Sequence, residues 1–184
     1  RSPDFLRPFL LATNHQANKK VITVAIGAIQ RLITMDAVDP AEPVNILRVL
    51  VIQRENVEEE VRLKVLQTLP LLLAPEAYEV TTMFLAQAFE TCLLMLEDKS
   101  PILQHTAEAT IRQLITLVFD RVAALGSAGH IRTPITEGAF KLLEDLCALS
   151  SGDKATFLKV STLNRGLGLE LIENILSGHS IVFR

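Results

Sequence analysis

The segment from Ser100 to Val122 constrains the fold of this chain more than any other. Ser100 can cap a helix whose first residue is Pro101, a position where the missing N–H of proline costs nothing. Apolar residues then recur at three- and four-residue spacing, which predicts a long helix with a broad apolar stripe. The stripe positions are Leu103, Ala107, Thr110, Ile111, Leu114, Ile115, Val118, Phe119 and Val122. A helix this apolar must be packed on more than one side.

The rest of the chain repeats this pattern in shorter form. Only 5% of the residues are aromatic and there is no Trp, so the core must be aliphatic, which suits stacked helices. No stretch alternates apolar and polar residues with period two, as strands do. Seven or eight helices begin about 20 residues apart, so helix pairs approach the ~40–47 residues of armadillo and HEAT repeats. The prediction is an all-α, armadillo/HEAT-like α-solenoid of stacked antiparallel helices.

Local signals predict where some helices begin, end or bend. Thr136 and Ser161 can cap the last two helices, and Gly126 can end the long one. Pro70 should kink or end its helix, because proline removes a hydrogen bond from the helix interior. Gly27 lies in the middle of a helix, where it costs about 1 kcal/mol relative to Ala, so we expect a close helix crossing there.

Charge argues against several kinds of partner. The formal net charge is −3 and no Lys/Arg cluster is present, which disfavours nucleic acid and unaided docking on anionic lipid. The run Glu58–Glu60 is interpreted as a solvated face. No apolar run approaches the ~20 residues that span a bilayer. Together with Cys92 and Cys147, expected to be buried free thiols, these features favour a soluble, intracellular type of protein.

No residue pattern points to catalysis, a cofactor or a metal. The four histidines are scattered singly, without zinc-ligand spacing, and the Gly166–Gly168 segment lacks the context of a phosphate loop. Glu144 and Asp145 are adjacent on one helix and point about 100° apart. Glu170 and Glu173 share a helix face but are expected to be solvated. We therefore predict a protein that is not an enzyme and has no catalytic, cofactor or metal site.

Four helical blocks in this order resemble the N-terminal region of the Mon-two proteins. These are large Golgi and endosome trafficking scaffolds related to the large Arf guanine-nucleotide exchange factors. The blocks are AIGAIQRLI at 25–33, TAEATIRQLITLVFDRV at 106–122, AFKLLEDLCAL at 139–149 and TLNRGLGLELIENIL at 162–176. The resemblance implies a dimerisation and cyclophilin-binding (DCB) domain over residues 1–125, lacking its first helices. It further implies a linker over 126–138 and the start of a homology-upstream (HUS) region over 139–184.

The resemblance also implies a function. A Mon-two module would be a non-catalytic scaffold on the cytoplasmic face of the Golgi, the trans-Golgi network and endosomes, and in the cytosol. It would associate with membranes through its partners and bind a GTP-bound Arf-like small GTPase. A homodimer is possible within this picture, and in the full-length protein the partners would include a Dopey-family protein and a lipid flippase. Vesicle-mediated protein transport is the process implied.

The outer face of the long helix is the candidate partner surface, formed by His105, Glu108, Arg112 and Gln113. Two alternatives stay open. The chain could be the regulatory N-terminal domain of a true Arf exchange factor, which the downstream sequence would decide. A peptide-binding armadillo module of nuclear transport is disfavoured. Such a module needs ladders of Trp and Asn along its groove, and this sequence has no Trp.

Overall fold

The computed structural model describes residues 5–14, 18–127 and 132–183, and within these ranges the chain is helical without any strand. Eight α-helices and a C-terminal 3₁₀ helix, Ser180–Phe183, make up the fold. The α-helices are α1 (Arg7–Thr13), α2 (Lys19–Thr34), α3 (Pro43–Gln53), α4 (Glu59–Leu73), α5 (Thr82–Met95), α6 (Pro101–Ser127), α7 (Pro134–Ser151) and α8 (Arg165–Gly178). This confirms the all-α prediction.

The helices stack in two layers. Consecutive helices pair as α1–α2, α3–α4, α5–α6 and α7–α8. The odd-numbered helices pack on one another in chain order, and so do the even-numbered ones. Each pair thus presents one helix to each layer, which is the arrangement of an α-solenoid. None of the described helices is both long and apolar enough to cross a membrane.

Helix α6 occupies the most connected position, since it contacts α4, α5, α7, α8 and the C-terminal 3₁₀ helix. Every predicted stripe position from Leu103 to Val122 is buried. Burying a Leu, Ile, Val or Phe side chain stabilises the fold by about 1.5–3 kcal/mol relative to leaving it exposed. The apolar stripe of α6 therefore holds both layers together, as its sequence predicts.

The ends of three helices differ from the sequence prediction. Helix α7 is capped by Thr133, whose side chain accepts from the N–H of Thr136, because Pro134 occupies the first helical position. Helix α8 is capped by Asn164 instead of Ser161. Helix α6 continues past Gly126 to Ser127.

The structure also bears on two predictions about the helix interiors. Pro70 is buried inside α4, which continues to Leu73 and does not end at the proline. Cys92 is buried as predicted, whereas Cys147 is exposed because it lies on the outer side of α7. Its neighbour Leu146 carries the core contact instead.

The close helix crossings occur at other glycines than Gly27. A Cβ built on Gly27 meets no atom within 4 Å, so no neighbouring helix approaches it. A Cβ on Gly138 of α7 would lie 2.7 Å from Leu85 Cδ1 of α5. A Cβ on Gly168 of α8 would lie 2.1 Å from Ser150 Oγ and 3.3 Å from Ser150 Cβ of α7. The tight packing is therefore between α7 and its neighbours α5 and α8.

The same substitution should have opposite effects at two of these glycines. Gly27→Ala should raise the free energy of unfolding by about 0.5–1 kcal/mol, because it removes backbone entropy from the unfolded chain without a clash. Gly168→Ala should lower it by about 1–3 kcal/mol, because Ser150 must move. Urea unfolding followed by circular dichroism measures both changes. A destabilising Gly27→Ala, or a neutral Gly168→Ala, would contradict this account of the crossings.

Candidate functional site

The predicted partner surface lies on one side of α6, and its four residues differ in solvent exposure. His105 and Gln113 are exposed, whereas Glu108 and Arg112 are half-buried. The structure brings Glu108 and Arg112 together, with 3.5 Å between Glu108 Oε2 and Arg112 Nη1. The two exposed residues flank this pair along the helix. The surface therefore combines two free polar side chains with an ion pair that is fixed in place.

Arg112 is also the link between α6 and α8. Its Nε and Nη2 donate to the two carboxylate oxygens of Glu170 at 2.6 Å and 3.0 Å. Such a bidentate pair is stronger and more directional than a single ionic contact. The hydrogen bond from Arg112 lowers the pKa of Glu170, and the bond to Glu170 raises the pKa of Arg112. Glu170 is exposed, as the sequence predicts, and its carboxylate also joins α8 to α6.

An open groove of about 510 Å³ runs beside this ion pair, between α5, α6 and the start of α8. Glu97, Glu108, Arg112 and Glu170 supply its charged lining, and Leu93, Leu96, Leu163 and Leu167 supply apolar lining. Glu97 Oε1 accepts from the hydroxyl of Thr162 at 2.9 Å. Glu108, Arg112 and Glu170 are therefore engaged with one another, and Glu97 with Thr162.

Asp145 is the most deeply buried carboxylate of the described chain, with 1% of the residue exposed. It accepts hydrogen bonds from the backbone N–H groups of Thr156, Phe157 and Leu158 at 2.8, 2.8 and 2.6 Å, and from the Thr156 hydroxyl at 3.2 Å. A buried carboxylate is tolerated when it is saturated in this way. Asp145 thus fixes the connection between α7 and α8.

Glu90 also holds the connection between α7 and α8, from the neighbouring helix α5. It is buried in α5 and accepts from the N–H of Lys159 at 2.8 Å. Sequence reasoning missed the structural role of both carboxylates, although a signal was present for Asp145. Asp145 stands between Leu142 and Leu149 on the buried side of α7, a place where a charge needs an internal partner.

Of the two histidines in the described ranges, His105 is exposed on α6 and His179 makes a contact within the fold. His179 Nε2 lies 2.9 Å from Asp120 Oδ1, and its ring packs 5.8 Å from that of Phe119, which ties the 3₁₀ helix to α6. His15 and His130 fall outside the described residues. Among the residues with a described placement, no group of three or more His, Cys, Asp or Glu side chains is positioned to hold a metal ion.

Comparison with known proteins gives the chain a family. The model described as Mon2/Sec7/BIG1-like, dimerisation and cyclophilin-binding domain, matches residues 1–125. The chain belongs to this DCB family. The match covers the first two of the four helical blocks, those at 25–33 and 106–122.

Curated relatives agree with this assignment. The protein named MON2 homolog of Drosophila melanogaster is 37% identical over 89% of this chain and 11% of its own length. Its human counterpart is 31% identical over 99% of this chain and 12% of its own length, and the Saccharomyces cerevisiae protein MON2 is 27% identical over 96% and 12%. The chain thus spans about one eighth of the length of these DCB-family relatives. No solved structure matches it.

The buried carboxylate yields a graded stability prediction. Asp145→Ala should lower the free energy of unfolding by about 2–4 kcal/mol, because it leaves several partly buried N–H groups without an acceptor. Asp145→Asn retains one acceptor oxygen and should lose less. Asp153→Ala, which changes an exposed carboxylate just after α7, serves as the control. Chemical denaturation measures the free energy of unfolding of each variant. Equal effects of Asp145→Ala and Asp153→Ala would contradict the structural role of Asp145.

The Arg112–Glu170 pair predicts a pH dependence. Because the pKa of Glu170 is lower in the folded chain, the pair stabilises the fold above the ordinary carboxyl pKa and stops doing so as the pH falls through the folded value. Exposed pairs contribute about 0.2–1 kcal/mol. The stability difference between wild type and Glu170→Gln should therefore disappear toward acidic pH. A difference that is constant between pH 7 and pH 3 would contradict the pairing.

Proposed function

We propose that this chain is a non-catalytic interaction module of a peripheral Golgi–endosome trafficking scaffold, active in vesicle-mediated protein transport. Family membership and the names of the relatives support a scaffold role. The observation that carries the proposal is how the polar groups are used. Asp145 and Glu90 hold the α7–α8 connection, and the Arg112–Glu170 pair joins α6 to α8. Ionisable groups committed in this way hold a surface in shape and are not available to a substrate.

The proposed partners follow from the Mon-two resemblance. A GTP-bound Arf-like small GTPase would bind the outer side of α6 through His105, Glu108, Arg112 and Gln113. In the full-length protein, a Dopey-family protein and a lipid flippase would join the same assembly. The module would also self-associate, in keeping with the description of its family as a dimerisation domain. Membrane association would come through these partners, on the cytoplasmic face of the Golgi, the trans-Golgi network and endosomes.

The proposed division of the chain is a DCB domain over 1–125, a linker over 126–138 and the start of a HUS region over 139–184. The regulatory end of an exchange factor is the second candidate, because the family description groups Mon2 with Sec7 and BIG1. The curated relatives named above, all MON2 proteins, favour the scaffold.

A pull-down with an Arf-like GTPase, loaded with GDP or with a non-hydrolysable GTP analogue, tests the partner. The chain should retain the GTP-analogue form at least tenfold better than the GDP form. The double variant His105→Ala/Gln113→Ala should weaken that binding about tenfold, because it removes exposed contacts without disturbing the Arg112–Glu170 link. Arg48→Ala on the exposed side of α3 is the control. Equal retention of both nucleotide forms, or of neither, counts against the proposal.

A further inference from the structure

The connection between α7 and α8 is long and yet held in one conformation. It runs from Gly152 to Asn164 without helix or strand, whereas connections between packed helices usually have about 2–8 residues. Asp145 of α7 accepts three of its backbone N–H groups, and Glu90 of α5 accepts the N–H of Lys159. Long irregular connections in compact domains are usually functional when they are not disordered. We therefore looked for what this connection builds.

The end of the connection forms one wall of the groove between α5, α6 and the start of α8. Thr162, Leu163 and Asn164 line the groove from that side. The hydroxyl of Thr162 donates to Glu97 Oε1 at 2.9 Å, which ties this wall to the end of α5, and Asn164 caps α8. The groove lies between two consecutive helical pairs, α5–α6 and α7–α8, and its walls are fixed to one another. It is therefore a preformed feature of the stack.

The groove carries more carboxylates than cations. Glu97, Glu108 and Glu170 line it, and Arg112 is the only cation among its described lining residues. Glu170 uses both of its carboxylate oxygens on Arg112. In contrast, Glu97 Oε2 and Glu108 Oε1 have no hydrogen-bonding partner within the described part of the chain. The groove thus keeps acceptor oxygens and an excess of negative charge.

The walls of the groove also offer apolar surface. Leu96 and Leu163 belong to the lining and are only half-buried. An Arg or Lys side chain matches such a surface, because its methylene stem packs on apolar groups while its charged head binds carboxylates. Arg112 shows that the lining accepts a guanidinium, since it forms two parallel bonds with Glu170. By charge complementarity, a basic segment fits the groove and an acidic one is repelled.

We propose that the groove binds a basic segment of a partner protein, with an Arg or Lys side chain bound to Glu97 and Glu108 and an apolar neighbour packed on Leu96 and Leu163. Arginine fits better than lysine, because its planar fork can bind two carboxylates at once. The inference rests on the proposed function, since Glu108 and Arg112 also belong to the α6 face proposed for the GTPase. It adds the chemistry of the partner residue that this face receives.

NMR titration of the isotope-labelled 184-residue chain with a leucine–arginine–leucine tripeptide, blocked at both ends, tests this chemistry. The amide signals of Gly166 and Leu167 should shift. The same tripeptide with citrulline, which keeps the shape of arginine without its charge, should shift them at least tenfold less at equal concentration. The double variant Glu97→Gln/Glu108→Gln should bind the arginine tripeptide about tenfold more weakly. Glu79→Gln, at an exposed carboxylate of the α4–α5 connection, is the matched control and should bind as wild type does.

Several results would overturn the inference: no shift at Gly166 and Leu167, equal shifts with the citrulline tripeptide, or equal weakening by Glu79→Gln and by the double variant. Glutamine keeps an acceptor oxygen at both groove positions, so the double variant should retain the fold, which circular dichroism checks.

The GTPase pull-down separates the groove from the proposed function. A loss of about tenfold in retention of the GTP-analogue form by Glu97→Gln/Glu108→Gln supports both. Unchanged retention by this variant overturns the groove assignment and leaves the proposed function standing. If the chain retains no GTPase while the arginine tripeptide still shifts the groove signals, the named partner is wrong and the groove inference stands.

Discussion

The burial of α6 is the constraint on which the rest of the structure depends. Its stripe from Leu103 to Val122 is closed on all sides by α4, α5, α7 and α8. Most of these side chains are aliphatic, and the buried hydroxyl of Thr110 donates to the carbonyl of Thr106 at 2.7 Å. Helices of both layers cover this broad stripe, α5 and α7 from one layer and α4 and α8 from the other. The first pair, α1–α2, does not contact α6 and is attached through α3 and α4.

Hydrogen bonds and ion pairs of charged side chains then fix the positions of α7 and α8. Asp145 and Glu90 accept backbone N–H groups of the α7–α8 connection, and Arg112 joins α6 to Glu170. The Asp145 contacts lie within the α7–α8 pair, whereas the Glu90 and Arg112 contacts cross from the α5–α6 pair to it. The latter two contacts therefore bind the last pair to the preceding helices in a defined position. A scaffold needs such a fixed shape, because partners that bind different faces must meet a constant surface.

Periodicity in the sequence predicted the helices and the buried face of α6, because each depends on residues a few positions apart. It failed where the outcome depends on distant residues. Gly27 and Gly168 look alike in sequence, and only the approach of Ser150 makes one of them a crossing point. Thr133 caps α7 because the helix begins at Pro134, ahead of the predicted cap Thr136. Glu170 is paired only because α8 returns to lie beside Arg112, and Cys147 is exposed because α7 turns it outward. The sequence was enough to place the partner surface on one face of α6. It was not enough to predict that Arg112 pairs with Glu170.

Native-state hydrogen exchange tests the central claim, that α6 organises a single cooperative stack. The amides from Ile111 to Phe119 should exchange only through global unfolding, with protection equal to the free energy of unfolding measured by denaturant. The amides of α1 should exchange faster, since that helix has fewer neighbours. Exchange of the α6 amides through local opening, at or above the rate of α1, would contradict the account.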